Sequence, residues 1–433
     1  MVIESAQRIK ALTDKINDTT GESDKTLSAA VDRAIEGYGK GGFSNGTEWT
    51  KCLGVDGNVY CSVYANGLWL LGSDTGIYTS RDGINFTAAL KLDPYNTGTT
   101  KTSYTVEKIV YADGVFVAYV SESYMGDHDG DGFYDYGEIC AQIYSSTDGE
   151  TWSWRISGNG PTTIVNDILY GNGMWVVPID GDIGYSHVVY SENGINWISV
   201  PFDNLDGTPI YEVRAAYADG MFILACDNGV FYSEDGKNWS VSNLTFYDYL
   251  HTRPVRAGGV WVIACGHGVY TSVDGKSWVS GSITESAIAH YDNGMLVINT
   301  QDKLWHTKDA KGDQWATMLF SDTTGTLYPP FCVNGTWYIS KGKAIYRFDG
   351  ESWGDTGLKG SNRYRYLGGI CPRYSSGIYL IVENDVNLYY SLDGINWTLC
   401  HSGANINDIT CGGGMWHLCT SLGAYYSEVW KGE

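Results

Sequence analysis

A ninefold repeat of a glycine turn and an apolar strand constrains the fold of this chain most strongly. Examples are "NGLWLL" from Asn66, "NGMWVV" from Asn172 and "GGMWHL" from Gly413. Asn-Gly and Asp-Gly between apolar runs are strong hairpin signals, because both central residues of a type I′ turn need a positive φ. The repeat therefore predicts a series of β-hairpins. The other copies begin at Asp113, Asp219, Gly258, Asn293, Asn334 and Ser376.

A second signature, an Asp-Gly turn that ends in an aromatic residue, follows each of the first eight copies. It is clear in "YSEDGKNW" from Tyr232 and degraded in the copies at His306 and Tyr346. Each unit thus contains strands a, b, c and d, and four antiparallel strands in about 40 residues are typical of one propeller blade. We predict an all-β fold, a β-propeller of nine four-stranded blades. Eight blades are the alternative if a degraded unit forms no full blade.

The two ends of the repeat array complement each other. The ninth unit lacks its Asp-Gly turn and strand d, and "GTEWTKCLG", Gly46 to Gly54, has the missing pattern. Pairing of this segment with the last unit would close the ring and remove the open sheet edges. The predicted propeller domain spans residues 45–433.

The Ser-x-Asp-Gly-x-x-Trp turns resemble the Asp-box (BNR) repeats of sialidase-like β-propellers over residues 46–433, although the usual box has one more residue between Asp and Gly. The resemblance implies a structural role, in which the Asp carboxylate accepts backbone N–H groups of its own turn and the Trp packs between sheets. The turn preferences of Asp support the same interpretation. These residues are Asp82, Asp148, Asp235, Asp274 and Asp393, with Asn193 in the third unit.

Residues 1–44 are predicted to form a short α-helical segment. Ile9, Leu12 and Ile16 make a narrow apolar stripe, and a second helix is capped near Ser23. The segment resembles helical pieces of tail and baseplate proteins of phages of Gram-positive bacteria. The resemblance implies attachment to other tail or baseplate proteins, or a homo-oligomer for which a trimer is a guess. It also implies a virion protein made in the host cytoplasm, which agrees with the lack of a signal-peptide apolar region. The alternative is an ordinary helical extension.

An acidic loop from Asp127, "DHDGDGFYDYGE", fits the 12-residue calcium-loop pattern. Acidic side chains occupy positions 1, 3, 5, 9 and 12, Gly132 occupies position 6, and position 7 offers a backbone carbonyl. We predict a Ca²⁺ site that orders a surface loop, because strands and not helices flank it. The alternative is a solvated acidic loop. The predicted ligands are Asp127, Asp129, Asp131, Phe133, Asp135 and Glu138.

Five long insertions are predicted to lie on one face, since they all connect strand b to c or strand d to a. Variable loops on a rigid scaffold usually carry binding. Aromatic rings beside carboxylates suit carbohydrate, because rings stack on C–H faces and polar groups bond hydroxyls. The predicted ligand-binding residues are Tyr95, Tyr134, Tyr136, Tyr185, His187, Phe202, Tyr247, Asp248, Tyr249 and His251.

Composition and missing motifs narrow the function. A net charge of −22 argues against nucleic-acid partners, and no apolar run is long enough for a transmembrane helix, so no membrane partner is expected. The arginine triad and Phe/Tyr-Arg-Ile-Pro motif of sialidases are missing, so we expect no enzyme. The predicted function is a phage tail-tip receptor-binding protein that recognises a bacterial surface glycan. The alternatives are a glycan-cleaving depolymerase or glycosidase and a non-enzymatic protein-binding scaffold.

Overall fold

A computed structural model describes most of the repeat region, and the predicted helical segment 1–44 lies outside the described residues. In the part that is described, no helix is long and apolar enough to cross a membrane. The described residues are 46–97, 100–126, 136–157, 163–180, 187–201, 213–227, 229–245, 253–300, 303–308, 316–319, 330–341, 344–358 and 373–429.

These residues form nine antiparallel sheets, one for each repeat, which we number as blades 1 to 9. Blade 1 contains β2 (Val59–Ala65), β3 (Leu68–Ser73), β4 (Gly76–Ser80) and β5 (Thr87–Lys91). Blade 2 contains β6 (Tyr95–Asn96), β7 (Thr100–Ala112), β8 (Val115–Gly126), β9 (Tyr136–Ser146) and β10 (Ser153–Ser157). Blade 3 contains β11 (Ile164–Val165), β12 (Leu169–Gly171), β13 (Met174–Asp180), β14 (His187–Ser191) and β15 (Ile198–Pro201).

Blades 4 to 9 follow the same order. Blades 4 to 6 contain β16 (Arg214–Ala218), β17 (Met221–Cys226), β18 (Gly229–Ser233) and β19 (Ser240–Val241); β20 (Val255–Ala257), β21 (Val260–Cys265), β22 (Gly268–Ser272) and β23 (Val279–Ser280); and β24 (Ala287–Asp292), β25 (Met295–Thr300), β26 (Lys303–Thr307) and β27 (Ala316–Leu319). Blades 7 to 9 contain β28 (Phe331–Val333), β29 (Thr336–Lys341), β30 (Ala344–Phe348) and β31 (Trp353–Asp355); β32 (Arg373–Ser375), β33 (Ile378–Glu383), β34 (Asn387–Ser391) and β35 (Thr398–His401); and β36 (Ile406–Gly412), β37 (Met415–Thr420) and β38 (Gly423–Glu428), with β1 (Thr50–Lys51) as the fourth strand of blade 9.

The ring closes as predicted. In blade 9, β1 pairs antiparallel with β38, with Thr50 opposite Tyr426, and Trp49 packs against the cluster that contains Trp416. Blade 9 also bonds directly to blade 1, because the N–H and hydroxyl of Ser62 donate to Asp408 at 3.0 and 3.2 Å. Nine blades are confirmed, and both degraded units form complete four-stranded sheets.

Each blade packs on the next through an apolar second strand. Trp69, Trp175, Trp261, Trp337 and Trp416 occupy equivalent positions in five of these strands, and each is at most 2% exposed. Truncating such a buried Trp to Ala typically costs about 3–5 kcal/mol. The core therefore lies between the sheets and is repeated around the ring.

The predicted turn chemistry is confirmed. Asn66 and Gly67 both have positive φ, at 51° and 73°, as a type I′ hairpin turn requires. In the Asp-Gly turn of blade 2, Asp148 Oδ1 accepts the N–H groups of Glu150 and Thr151 at 2.9 and 2.7 Å. The backbone N–H groups of Thr151 and Glu150 thereby lower the pKa of Asp148 to about 2. These carboxylates stabilise turns.

Candidate functional site

The propeller has two chemically different faces. The a–b turns and the Asp-Gly turns share one face, where Asn172 of blade 3 donates to the Glu234 carbonyl of blade 4 at 3.4 Å. Because neighbouring strands are antiparallel, the b–c and d–a connections all leave from the opposite side. We call the two sides the turn face and the long-loop face.

Blade 2 extends well beyond the other blades on the long-loop face. Its strands β7, β8 and β9 have 13, 12 and 11 residues, whereas the equivalent strands of blade 4 have five, six and five. Beyond a bulge at Glu107, the ladder continues without interruption to the pairs Thr100–Gly126 and Gly126–Tyr136, and β6 adds a short edge strand. Six residues beyond buried Val106 correspond to roughly 20 Å of strand. We call residues 95–97, 100–105, 121–126 and 136–144 the blade-2 extension.

One side of this extension carries a hydrogen-bonded set of tyrosines, a carboxylate and an amide, which we call the extension cluster: Tyr104, Glu122, Gln142 and Tyr144. Tyr104 lies directly opposite Glu122 and donates its hydroxyl to Oε1 at 3.1 Å. Gln142 donates its amide to the other carboxylate oxygen, and the Tyr144 hydroxyl donates to Gln142 Oε1 at 3.0 Å. Burial and the Glu122 charge raise the pKa of Tyr104 to about 12, so its hydroxyl stays a neutral donor at ordinary pH.

More groups of the same kind lie farther out on the same side of the sheet. Tyr124 is two residues beyond Glu122 and pairs with both Thr102 and Glu138. Tyr95 pairs with Thr102 from the edge strand and is 49% exposed. Aromatic rings and polar groups therefore alternate outward from half-buried Tyr144 to exposed Tyr95. Such a surface can stack on a sugar ring and exchange hydrogen bonds with its hydroxyls.

The structure describes four of the predicted site residues. Tyr95 and Glu138 lie on the extension, and Tyr136 pairs with Gly126 at its outer end. His187 differs from the expectation of an exposed loop residue, because β13 and β14 continue to the Ile179–His187 pair and leave His187 only 5% exposed. The remaining predicted residues lie outside the described part of the chain: Asp127, Asp129, Asp131, Phe133, Asp135, Tyr134, Tyr185, Phe202, Tyr247, Asp248, Tyr249 and His251.

The predicted calcium loop starts and ends on the extension. The Gly126–Tyr136 pair brings the two ends of the loop together at the tip of the β8–β9 hairpin, and Glu138 follows on β9. No group of three His, Cys, Asp or Glu side chains that could hold a metal occurs among the described residues. Of the six predicted calcium ligands, the described residues include only Glu138. The calcium site remains a prediction.

Sequence reasoning missed the extension cluster. Its members are Tyr104, Glu122, Gln142 and Tyr144, and they come from three strands. The available signal was alternation, since Glu122 and Tyr124 on one strand and Gln142 and Tyr144 on another have the period of two that places side chains on one sheet face. The lengths of the strands and their register decide that these two rows meet.

A competing cleft of about 400 Å³ lies between the outer parts of blades 1 and 2 on the turn-face side. Its lining includes Arg81 and Glu150, which form an exposed ion pair of 2.7 Å, and contains no aromatic residue. Without a ring for stacking, this cleft suits a sugar less well than the extension does.

Comparisons with known proteins give only distant structural likenesses. No protein-family model matches it, and no curated protein matches it. It is similar to the computationally designed Ika8 protein, with 8% identity and a TM-score of 0.46 over 89% of this chain and 100% of the other. It is also similar to BamB from Moraxella catarrhalis, with 8% identity and a TM-score of 0.45 over 75% of this chain and 96% of the other. Virginiamycin B lyase from Staphylococcus aureus has 10% identity and a TM-score of 0.39 over 62% of this chain and 95% of its own.

The nine sheets themselves define the class of the protein. Nine four-stranded antiparallel blades, closed by a strand from the start of the repeat region, make it a nine-bladed β-propeller. Likenesses at these identities and TM-scores carry no argument about activity, so function has to be argued from the long-loop face.

Proposed function

We propose that this protein is a receptor-binding protein of a phage tail that recognises a bacterial surface glycan through its long-loop face and does not cleave it. The extension cluster is the observation that carries the glycan part of this proposal. It combines tyrosine rings with a carboxylate and an amide on one face of a projecting sheet. The blade-2 extension would hold this surface beyond the strand ends of the other blades, on the long-loop face.

The hydrogen bonds of the cluster suit exchange with a ligand. Both carboxylate oxygens of Glu122 accept bonds from side chains, not from the backbone. Side chains can rotate to accept from and donate to sugar hydroxyls, whereas backbone N–H groups in a β-ladder already donate to the neighbouring strand. Exposed Tyr95 would supply the stacking ring at the outer edge.

Calcium is the second part of the proposal. Clustered carboxylates repel one another unless a cation neutralises them. The partly exposed Glu138 side chain stands at the base of the loop that contains the other five proposed ligands. Bound Ca²⁺ would order residues 127–138 beside Tyr124 and Tyr95. Attachment to other tail or baseplate proteins through residues 1–44, and the virion location, are supported by the sequence resemblance.

Binding of purified cell-wall glycans, measured by isothermal titration calorimetry with parallel assay of released reducing sugar, tests the proposal. We expect saturable binding without sugar release. Tyr95→Ala and Glu122→Gln should each weaken affinity about tenfold, the loss of one good anchor or charged hydrogen bond. Tyr374→Ala is the matched control, because Tyr374 is 39% exposed but lies in blade 8, next to the a–b turn on the turn face.

The outcomes separate the three candidate functions. Sugar release would identify a depolymerase, because Glu122 and Glu138 on one sheet face could then act as a carboxylate pair. Absence of binding to any host glycan would favour the protein-binding scaffold. Equal losses for Tyr95→Ala and Tyr374→Ala would remove the extension as the binding surface.

A further inference from the structure

One position of the repeat carries charge in four successive blades. Counting back five residues from the first residue of each a–b turn gives Lys108, Asp167, Arg214 and Arg253 in blades 2 to 5. We call these four residues the channel layer. The same position is uncharged or negative in the other blades, so the positive charge is confined to the blades with long loops. These residues are Cys61, Ile288, Pro329, Cys371 and Asp408 in blades 1, 6, 7, 8 and 9.

The channel layer lies inside the ring. The first strands of neighbouring blades contact each other, as β2 does with β7 and β36, so these strands are nearest the axis. Arg253 of blade 5 forms an ion pair with Asp167 of blade 3 and thereby passes blade 4. Two blades that are not neighbours can meet in this way only across the interior of the ring. Arg214 begins β16, and Asp167 and Arg253 lie two residues before β12 and β20, at the strand ends that face the long loops. Lys108 has the same register relative to its a–b turn but lies within the longer strand β7.

The charges of the channel layer do not balance. Asp167 is 1% exposed and accepts the Ala215 N–H at 3.0 Å. Its charge interacts with three cations, Arg253, Lys108 and Arg214. One carboxylate therefore faces three positive charges, in a protein whose net charge is −22.

Arg214 shows the imbalance most clearly. It is 8% exposed, and its Nη1 donates to the neighbouring Val213 carbonyl at 3.4 Å. Its Nε is buried and has no hydrogen-bond partner in the described part of the chain. Burial and the neighbouring charge of Arg253 lower the pKa of Lys108. Buried cations that lack acceptors are costly unless an anion accompanies them.

We propose that the channel layer binds an oxyanion, the carboxylate or phosphate group of a ligand, at the mouth of the central channel on the long-loop face. Arg214 and Arg253 would donate to the oxyanion, since guanidinium groups match carboxylate and phosphate geometry. Lys108 would add a point charge, and Asp167 would compete with the oxyanion as the one negative charge among these four residues. This site goes beyond the proposed function, because it requires neither a glycan nor the extension cluster.

Titration of the full-length protein with inorganic phosphate, and separately with glucuronate, tests the site. We expect saturable binding of at least one probe by isothermal titration calorimetry. Binding of phosphate alone would indicate a phosphate ester as the natural group, and binding of glucuronate alone would indicate an acidic sugar or other carboxylate.

Two substitutions should act in opposite directions. Lys108→Met should weaken binding about tenfold through loss of one charge. Asp167→Asn should strengthen it, because it removes the competing negative charge. Arg81→Gln is the control, since Arg81 is 74% exposed on the turn face. Tyr95→Ala should leave phosphate and glucuronate binding unchanged, which separates this site from the extension.

Three results would overturn the site. They are no binding of either probe by the wild-type protein, equal changes in Lys108→Met and Arg81→Gln, and weaker binding in a folded Asp167→Asn variant. Thermal melting followed by circular dichroism establishes that each variant is folded. If Asp167→Asn fails to fold, the difference in probe affinity between Lys108→Met and Arg81→Gln still tests the site.

Discussion

The turn face and the long-loop face use carboxylates in opposite ways. On the turn face, the Asp148 carboxylate is bonded by backbone N–H groups two and three residues away. On the long-loop face, Glu122 is bonded by side chains 18 and 20 residues away, and Asp167 by an arginine two blades away. A carboxylate that its own turn satisfies stabilises the scaffold. One that distant side chains satisfy can exchange those partners for a ligand.

This contrast has a direct experimental consequence. Substitutions on the turn face should change stability and leave ligand binding unchanged, whereas substitution of Tyr95 or Glu122 on the long-loop face should weaken ligand binding with little change in stability. The expected effects below run from the largest to the smallest.

Gly275→Ala should have the largest effect on stability. Gly275 has a φ of +74° in an Asp-Gly turn, and an added Cβ would lie 2.9 Å from Ile223 and 3.3 Å from Trp261. Backbone strain and overpacking together should lower the free energy of unfolding by about 2–4 kcal/mol, measured by urea denaturation. Gly294→Ala is the matched control, because its φ is +71° with nothing within 4 Å, and should cost about 1 kcal/mol. Equal losses would show that packing between blades does not constrain this turn.

Removal of calcium should have the next largest effect, confined to the long-loop face. A cation present at 100 times its dissociation constant stabilises a protein by about 2.7 kcal/mol. We therefore expect EDTA to lower the melting temperature, and excess Ca²⁺ to restore it. Asp129→Asn should abolish this response, whereas Asp148→Asn, on the turn face, should keep it. Identical melting of the wild-type protein in EDTA and Ca²⁺ would contradict the metal site.

The turn-face carboxylates should make stability fall at acid pH. The folded-state pKa of Asp148 is about 2, below the unfolded value of about 3.9. The stabilisation is therefore complete above the unfolded pKa and is lost as pH falls through the folded pKa. Because the carboxylate is exposed and screened, we expect less than about 1 kcal/mol from this turn.

Exchange of Asp and Asn between two blades tests this pH dependence. Asp148→Asn should flatten the acid limb of the unfolding free energy between about pH 4 and pH 2. Asn193→Asp should steepen it, because Asn193 already accepts the N–H groups of Ile195 and Asn196 at 2.9 Å. If neither variant changes the acid limb, the turns are not the groups that titrate.

Arg81→Gln should have the smallest effect. The Arg81–Glu150 pair joins the Asp-Gly turns of blades 1 and 2, but its side chains are 74% and 50% exposed. An exposed ion pair of this kind changes the free energy of unfolding by about 0.5 kcal/mol or less. A larger loss in urea denaturation would mean that the turn face contributes to blade association through charge.

The blade pattern was predictable because its signals are local. Asn66 and Gly67 adopt positive φ in their own hairpin, and Asp148 accepts N–H groups within three residues. These preferences are the same in every context, so nine copies could be counted and the closing strand located. The sequence did not reveal that His187 lies buried on a strand, because the length of the β13–β14 ladder depends on pairing and not on local residue type. The binding role of His187 stays a prediction.

The candidate sites were less accessible to prediction because they are not local. Tyr104, Glu122 and Gln142 meet through the register of three strands. Repeat alignment does reveal the row of Lys108, Asp167, Arg214 and Arg253, but the row becomes a cluster only when the ring brings blades 2 to 5 around one axis.

The sequence by itself determined the repeated four-stranded blade, the closure of the ring and the structural use of the Asp-Gly carboxylates. It counted nine units, and the structure decided that both degraded units form full blades. Short-range turn geometry and hydrophobic periodicity are encoded in neighbouring residues. Only the tertiary structure decided which side chains of the long-loop face share a site. Side-chain proximity there depends on strand register and ring curvature, which arise when all nine sheets pack together.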